Sequence, residues 1–198
     1  HFVGFSGGID SQACARWVLN RHPPQDVILL NSLAGRNEHP MTVEFIDWYS
    51  SNVHPVIRVT PQMKDMYAKD ATLERKGLDP EEELTFDRLI ELKGRASSSQ
   101  AQFCTHYLKL LPTKRWIDEH VEDAYTRYSG VRRDESRKRA STPTSRYDDF
   151  FDCPLVHPVV DWTKQMCFDY VKAHREQVNQ LYALGFERVG CAPCINSG

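Results

Sequence analysis

The first twenty residues constrain this chain more than any other stretch. Phe2-Val3-Gly4-Phe5 is a short apolar run, broken at once by Ser6-Gly7-Gly8. From Asp10 onward the apolar residues Ala13, Cys14, Trp17 and Val18 recur at helical spacing. A strand therefore passes through a glycine turn straight into a helix, which stops near Asn20, before Pro23-Pro24. Val27-Ile28-Leu29-Leu30 is wholly apolar, as expected of a strand buried on both faces. Pro40 suits a first helical turn, and Val43, Ile46 and Tyr49 line one face of that second helix. Val56-Ile57-Arg58-Val59 reads as a third strand. The order β-α-β-α-β predicts an α/β fold: a parallel, twisted, Rossmann-type sheet in three layers, with helices on both faces.

The remainder is read as part of one domain spanning residues 1–198. Residues 61–102 are polar and helix-prone, broken at Asp79-Pro80 and Ser97-Ser98-Ser99, and are expected to be a helical insertion. Pro112 starts another helix, with Trp116, Ile117, His120 and Val121 inward. A fourth strand is expected over 125–131, a charged loop over 132–152 and an extended segment over 155–160. Thr163 is an N-cap for a helix carrying Met166, Phe168, Tyr170 and Val171, within a cysteine-containing C-terminal segment at about 161–198. With 25 Lys and Arg against 27 Asp and Glu the formal charge is −2, which gives no global basic field for capturing nucleic acid. No apolar run reaches the ~18 residues of a membrane span and no signal peptide is visible, so a cytoplasmic, reduced protein is expected. The chain opens directly on its first strand and closes four residues after Cys194, so native residues are expected beyond both ends.

The segment Ser6-Gly7-Gly8-Ile9-Asp10-Ser11 has the composition of an anion seat. The first N–H groups of a helix lack internal partners, and the helix dipole favours negative charge there. Gly7 and Gly8 let the backbone approach oxygen atoms closely, and Ser6 and Ser11 add hydroxyl groups. Asp10 is an unusual neighbour for phosphate unless it orients the loop or shares Mg²⁺ with the ligand. The alternative is a plain Gly-Gly turn capped by Asp10. Neither GxxxxGK[ST] nor GxGxxG is present.

Phe5-Ser6-Gly7-Gly8-Ile9-Asp10-Ser11 resembles the PP-loop of the adenine nucleotide alpha hydrolase-like (HUP-like) superfamily, which holds the ATP pyrophosphatases and the phosphoadenosine phosphosulfate (PAPS) reductases. Ile9 stands where many members have Lys. Four further segments resemble the PAPS reductase branch. The first is Asn31-Ser32-Leu33-Ala34-Gly35 through Pro40 and Thr42, with Asn31 replacing the usual Asp. The second is Phe103-Cys104-Thr105 with Leu108-Lys109 and Pro112; the third, Gly130-Val131-Arg132-Arg133-Asp134-Glu135-Ser136 with Arg139, is similar to the GxRxxES arginine loop. The fourth runs from Asp161-Trp162-Thr163 through Asn179, Leu181-Tyr182 and Gly185-Phe186 to Gly190-Cys191-Ala192-Pro193-Cys194. The resemblance implies that Ser6, Gly7, Gly8, Asp10, Ser11, Asn31, Ser32, Gly35, Gly130 and Arg132 bind ATP or PAPS. It implies that Asp10, Lys109, Arg132 and Arg133 serve the chemistry. Arg132 or Arg133 offers a planar fork that can grip phosphate or sulfate bidentately, while Lys109 offers a point charge. Glu135 and Ser136 orient arginines or touch the ligand.

There are six cysteines. Cys191-Ala192-Pro193-Cys194 alone reads as a metal half-site, a redox pair or a coincidence. Its place outside a thioredoxin-like unit argues against the redox pair. Iron–sulfur members of the reductase branch imply that Cys104 joins Cys191 and Cys194 on a [4Fe–4S] cluster, with Cys153 or an exogenous sulfur as fourth ligand; zinc is the alternative for a thiolate set. Cys14 and Cys167 fall on helices and are expected to be small buried residues. The loop histidines His39, His106 and His157 carry little signal.

Three functions remain open from the sequence. One is ATP-dependent adenylation with pyrophosphate release and sulfur transfer, using Mg²⁺ and a cysteine desulfurase as donor; a nucleic-acid acceptor and a homodimer fit that resemblance. The second is a PAPS or adenylylsulfate reductase drawing on a thiol reductant. Its Glu-Cys-Gly tail does not occur within the 198 residues. The third is a nucleotide or redox sensor without turnover.

Overall fold

The computed structural model describes residues 1–67, 70–98 and 101–192. The strands β1 (Phe2–Gly4), β2 (Ile28–Ser32), β3 (Val56–Val59), β4 (Arg127–Tyr128), β5 (Ser145–Asp148) and β6 (Cys153–Val156) form one sheet in the order β3-β2-β1-β4-β6-β5. β1 pairs in parallel with β2 (Val3 opposite Leu29) and with β4 (Val3 opposite Tyr128). β4 pairs in parallel with β6, and β5 closes the far edge antiparallel to β6. This is the mostly parallel three-layer α/β architecture expected. The strand order reverses between β1 and β4, and such a switch point opens a crevice outside the carboxyl ends of the strands.

The chain divides into two compact units. The first comprises His1–Asn31, Pro40–Ile57 and Asp123–Gly190. Its core joins Val3, Phe5, Leu29 and Tyr128 from the strands to Ala13, Cys14 and Val18 of α1 (Ile9–Leu19) and Phe45, Ile46 and Tyr49 of α2 (Pro40–Asn52). Cys167 and Val171 of the C-terminal helix Lys164–Ala173 complete it. Thr163 caps that helix as expected, its hydroxyl accepting from the Met166 amide at 3.2 Å. Cys14 and Cys167 are fully buried, as the sequence suggested.

The second unit takes in Ser32–His39 and Arg58–Glu122, together with the chain from Cys191, and so reaches beyond the 61–102 insertion. It holds α3 (Met63–Met66), α4 (Asp70–Lys76) and α5 (Phe86–Lys93), around a core of Met63, Leu73, Leu84, Leu89 and Leu108.

Three local readings need correction. The fourth strand is two residues, not seven. The stretch 132–152 contains β5: three of its four residues are exposed, so it carries no apolar alternation that marks a strand. The helix expected from Pro112 begins earlier, with α6 (Phe103–Thr105), a π-helical turn (His106–Leu110) and α7 (Leu111–His120). Pro112 sits in the first turn of α7 and cannot donate to the Leu108 carbonyl, which accepts the Ser32 hydroxyl instead. Within α7 it is Ile117 that is buried; His120 is exposed.

Candidate functional site

In the first unit, the turn after β1 is shaped by backbone requirements. Gly7 has φ +74°, and a Cβ there would lie 3.0 Å from Thr42 Cγ2 and 3.2 Å from Ile46 Cγ1, so glycine is demanded twice over. The Gly7 carbonyl accepts from Asn179 Nδ2 at 3.4 Å, and Asn179, fully buried, also donates to Thr42 Oγ1 at 3.1 Å. In a trans peptide the N–H points opposite the C=O. Tying back the Gly7 carbonyl therefore turns the Gly8 N–H away from Asn179; Gly8 itself is buried.

The next peptide is closed. The Gly8 carbonyl accepts from Ser11 Oγ (2.8 Å) and from the Gln12 amide (3.0 Å), and the Ile9 N–H donates to the Tyr182 hydroxyl at 2.9 Å. Ser11 also receives the Ser6 amide at 3.2 Å, so its hydroxyl holds the loop together. Among the described residues, no partner takes the amides of Gly7, Gly8, Asp10 or Ser11. Ser6 stays exposed. Burial pushes the Tyr182 phenol up to about 12, so it keeps its proton at neutral pH.

Asp10 faces the loop that follows β4. Arg132, 5 % exposed, donates from Nε to Asp10 Oδ1 at 2.7 Å and from a second nitrogen to Asp134. Burial, and then the adjacent Asp10 carboxylate, push the Cys167 thiol up to about 12, and this thiol also hydrogen-bonds Asp10. Asp10 is thus matched by protein donors, which does not fit the carboxylate of a shared Mg²⁺; its role here is to hold Arg132. Gly130 makes the approach possible: a Cβ there would fall 2.2 Å from the Asp10 carbonyl oxygen.

Arg133 does a different job from Arg132. Its Nε donates to the Thr142 carbonyl at 2.8 Å and another nitrogen pairs with Asp161, so it pins the loop. Glu135, the suspected orienting residue, binds both Arg139 and Arg188, the latter at 2.5 Å. Burial, with the Arg188 and Arg132 guanidiniums, pushes Arg139 below the ordinary arginine range against the pull of Asp10. Asn31 explains its own departure from Asp. Its Nδ2 donates to the Phe5 carbonyl at 2.8 Å, which a carboxylate cannot do. Its buried Oδ1 has no partner among the described residues.

The second unit holds Ser32, Gly35, Lys109, Cys104 and Cys191. Ser32 is spent on Leu108, as above. Gly35 has φ +65°, and a Cβ would lie 2.5 Å from the Phe86 amide, so its need for glycine comes from the start of α5. Lys109, on the π turn, acts electrostatically on Glu38, whose carboxyl burial raises while Lys109 and Arg58 lower it. Cys191 bridges Glu38 in antiparallel fashion, next to an Ala192 amide that donates to the Asn37 carbonyl at 2.7 Å.

The described residues do not supply a cluster site. Cys104 and Cys191 share a unit, but Cys153 opens β6, at the strand end opposite the glycine turn. There it is buried beside Arg127 and Asp148, and burial raises its thiol. Cys194 lies outside the described residues. No three His, Cys, Asp or Glu side chains among the described residues converge on a metal position. No described helix is long and apolar enough to cross a membrane.

Sequence reasoning placed Asn179 and Tyr182 in the fourth segment without a role for either, and passed over Arg188. The first two act on residues 172 and 173 positions away, a separation no local pattern reveals.

Comparison with known proteins places this geometry in context. The chain is 29% identical over 235 aligned residues to an uncharacterized 37.8 kDa protein of Escherichia phage 186, covering all of this chain and 67% of that one. It is 33% identical over 94 residues to an adenosine 5'-phosphosulfate reductase of Staphylococcus saprophyticus, covering 48% of this chain and only 37% of the enzyme. A similar reductase of Halalkalibacterium halodurans is 28% identical, with 80% of this chain and 64% of the enzyme aligned. The chain thus spans less than two thirds of these reductases. The crystal structure of the Candida auris phosphoadenylyl-sulfate reductase in a phosphate complex shares the fold, with TM-score 0.65 and 13% identity over 98% of this chain and 81% of that one. The family model of the phosphoadenosine phosphosulfate reductase domain matches residues 1–197, and the chain belongs to that family of sulfur-metabolism proteins.

Proposed function

We propose that this chain binds an adenine nucleotide by its anhydride end and supports reductive cleavage of a phosphosulfate, adenylyl sulfate or its 3'-phosphorylated form. One observation carries the reading: the Gly8 N–H, turned away from Asn179 by the bond from Asn179 to Gly7 and without a partner among the described residues, stands at the N-terminus of an 11-residue helix. Unpaired amides and the helix dipole favour an anion there.

In the reaction, an external thiol reductant attacks the sulfate sulfur. An S–S bond forms, the bond from sulfur to the bridging oxygen breaks, and its electron pair leaves with the nucleotide phosphate. A second thiol then attacks the sulfur that joined the sulfonate, giving a disulfide and releasing sulfite. The protein's part is to hold the phosphate and to neutralise charge gathering on the leaving oxygen. The relatives named as reductases support this choice over ATP-dependent adenylation. So does the engagement of Asp10 by Arg132 and Cys167, which leaves it poorly placed to hold Mg²⁺.

Titration calorimetry with adenylyl sulfate, phosphoadenylyl sulfate and ATP, each with and without Mg²⁺, tests the reading, together with sulfite release in the presence of a thiol. Mg²⁺-independent binding of a phosphosulfate, with sulfite formed, is expected. Binding of Mg-ATP with pyrophosphate release, and indifference to both phosphosulfates, would overturn it in favour of the adenylating sulfurtransferase.

A further inference from the structure

We infer that Arg188 is a specificity residue that recognises the terminal sulfate or phosphate of the nucleotide. It is not among the matched positions of the family segments, lying between Phe186 and Gly190 in the C-terminal segment of the first unit. Three observations converge on it.

First, the residue after it abuts the glycine turn: the Val189 carbonyl oxygen lies 3.5 Å from where a Gly8 Cβ would stand. Second, Arg188 is anchored from behind. Its Nη2 pairs at 2.5 Å with Glu135, whose side chain is only 10% exposed, whereas Arg188 is 44% exposed. Third, the same Glu135 holds Arg139, 37% exposed, and the charges of Arg188 and Arg132 both act on Arg139. A covered carboxylate therefore presents two partly exposed guanidiniums, one of them on the residue preceding Val189, whose carbonyl approaches Gly8. Asp134, which pairs with Arg132, is the other carboxylate on this loop and is half-exposed. Anchored guanidiniums have already lost rotamer freedom, which lowers the cost of gripping an oxyanion.

The inference rests on the nucleotide reading above, and the test separates the two. Adenylyl sulfate and AMP are titrated into wild-type protein, Arg188→Ala and Arg188→Lys, with thermal melts as a folding control. Arg188→Ala is expected to weaken adenylyl sulfate by about ten- to a hundredfold, the range of a charge-assisted hydrogen bond. AMP, which ends at the 5'-phosphate and lacks the sulfate beyond it, should change less than about twofold. Arg188→Lys should recover part of the loss, keeping the charge without the fork. Unchanged adenylyl sulfate binding in Arg188→Ala, or an equal loss for AMP, overturns the role of Arg188 while leaving the nucleotide reading standing. Wild-type protein that binds neither ligand overturns both.

Discussion

Two arginine–aspartate pairs flank the fourth strand, and both have an N···O distance of 2.7 Å. Arg127–Asp148 joins β4 to β5, and Arg132–Asp10 joins the loop after β4 to α1. The first is enclosed. Arg127 stacks 3.3 Å from the Phe151 ring centroid, and burial pushes it below the ordinary arginine range. The Phe151 carbonyl beside it accepts the Tyr125 hydroxyl at 2.7 Å. The second pair borders a turn whose Gly7 and Gly8 amides have no partner among the described residues. A buried ion pair by itself is weak grounds for function. What separates the two is the state of the backbone around them: satisfied at one end of the strands, unsatisfied at the other.

The largest effects should come from breaking each pair. Asp148→Ala strands Arg127 and should cost about 3–5 kcal/mol of stability in urea unfolding, while the folded fraction binds nucleotide as before. Asp10→Ala should also destabilise, and in addition weaken adenylyl sulfate at least about tenfold. Equal losses of affinity in both variants would erase the distinction. Next, Gly130→Ala forces a methyl group against the Asp10 backbone and should cost about 1–3 kcal/mol together with nucleotide binding. Asn31→Asp sets a carboxylate against the Phe5 carbonyl and should cost about 1–3 kcal/mol, read as a lower urea midpoint.

Smaller effects sharpen the comparison. His157 ties the arginine loop to β6 through the Pro143 carbonyl at 2.8 Å, and burial holds it below the ordinary imidazole range. Its folded form resists protonation, so its contribution is present above the ordinary value of 6.5 and lost as pH falls below it, at most about 1.4 kcal/mol per pH unit. His157→Gln should flatten that slope. Cys153→Ser, at the enclosed end, should leave the iron and zinc content of anaerobically purified protein unchanged; a loss of metal would restore Cys153 as a ligand.

The sequence made the strand–glycine–helix opening, the buried second strand and the arginine loop readable, because each is a local pattern. It hid β5, whose Ser145-Arg146-Tyr147-Asp148 is mostly exposed and carries no alternation. It hid the π turn, which no local pattern in His106–Leu110 marks. It gave Arg132 and Arg133 equal standing, since only their partners, Asp10 for one and Thr142 and Asp161 for the other, tell them apart. The orientation of the Gly7–Gly8 peptide depends on Asn179, more than 170 residues distant, and no spacing rule reaches that far.

Gly8 offers the most direct test of the anion seat. Its backbone sits at φ −88° and ψ 157°, which any residue adopts, and an added Cβ would meet nothing nearer than 3.5 Å. Gly8→Ala should therefore melt at or slightly above the wild-type temperature. Its methyl group would stand near Tyr182, Val189 and Ser6, on the residue whose amide is proposed to meet the ligand oxygens. Calorimetric titration of adenylyl sulfate into that variant should show affinity reduced by about tenfold or more; a folded variant that binds as tightly as wild type would contradict the assignment of this turn as the phosphate site.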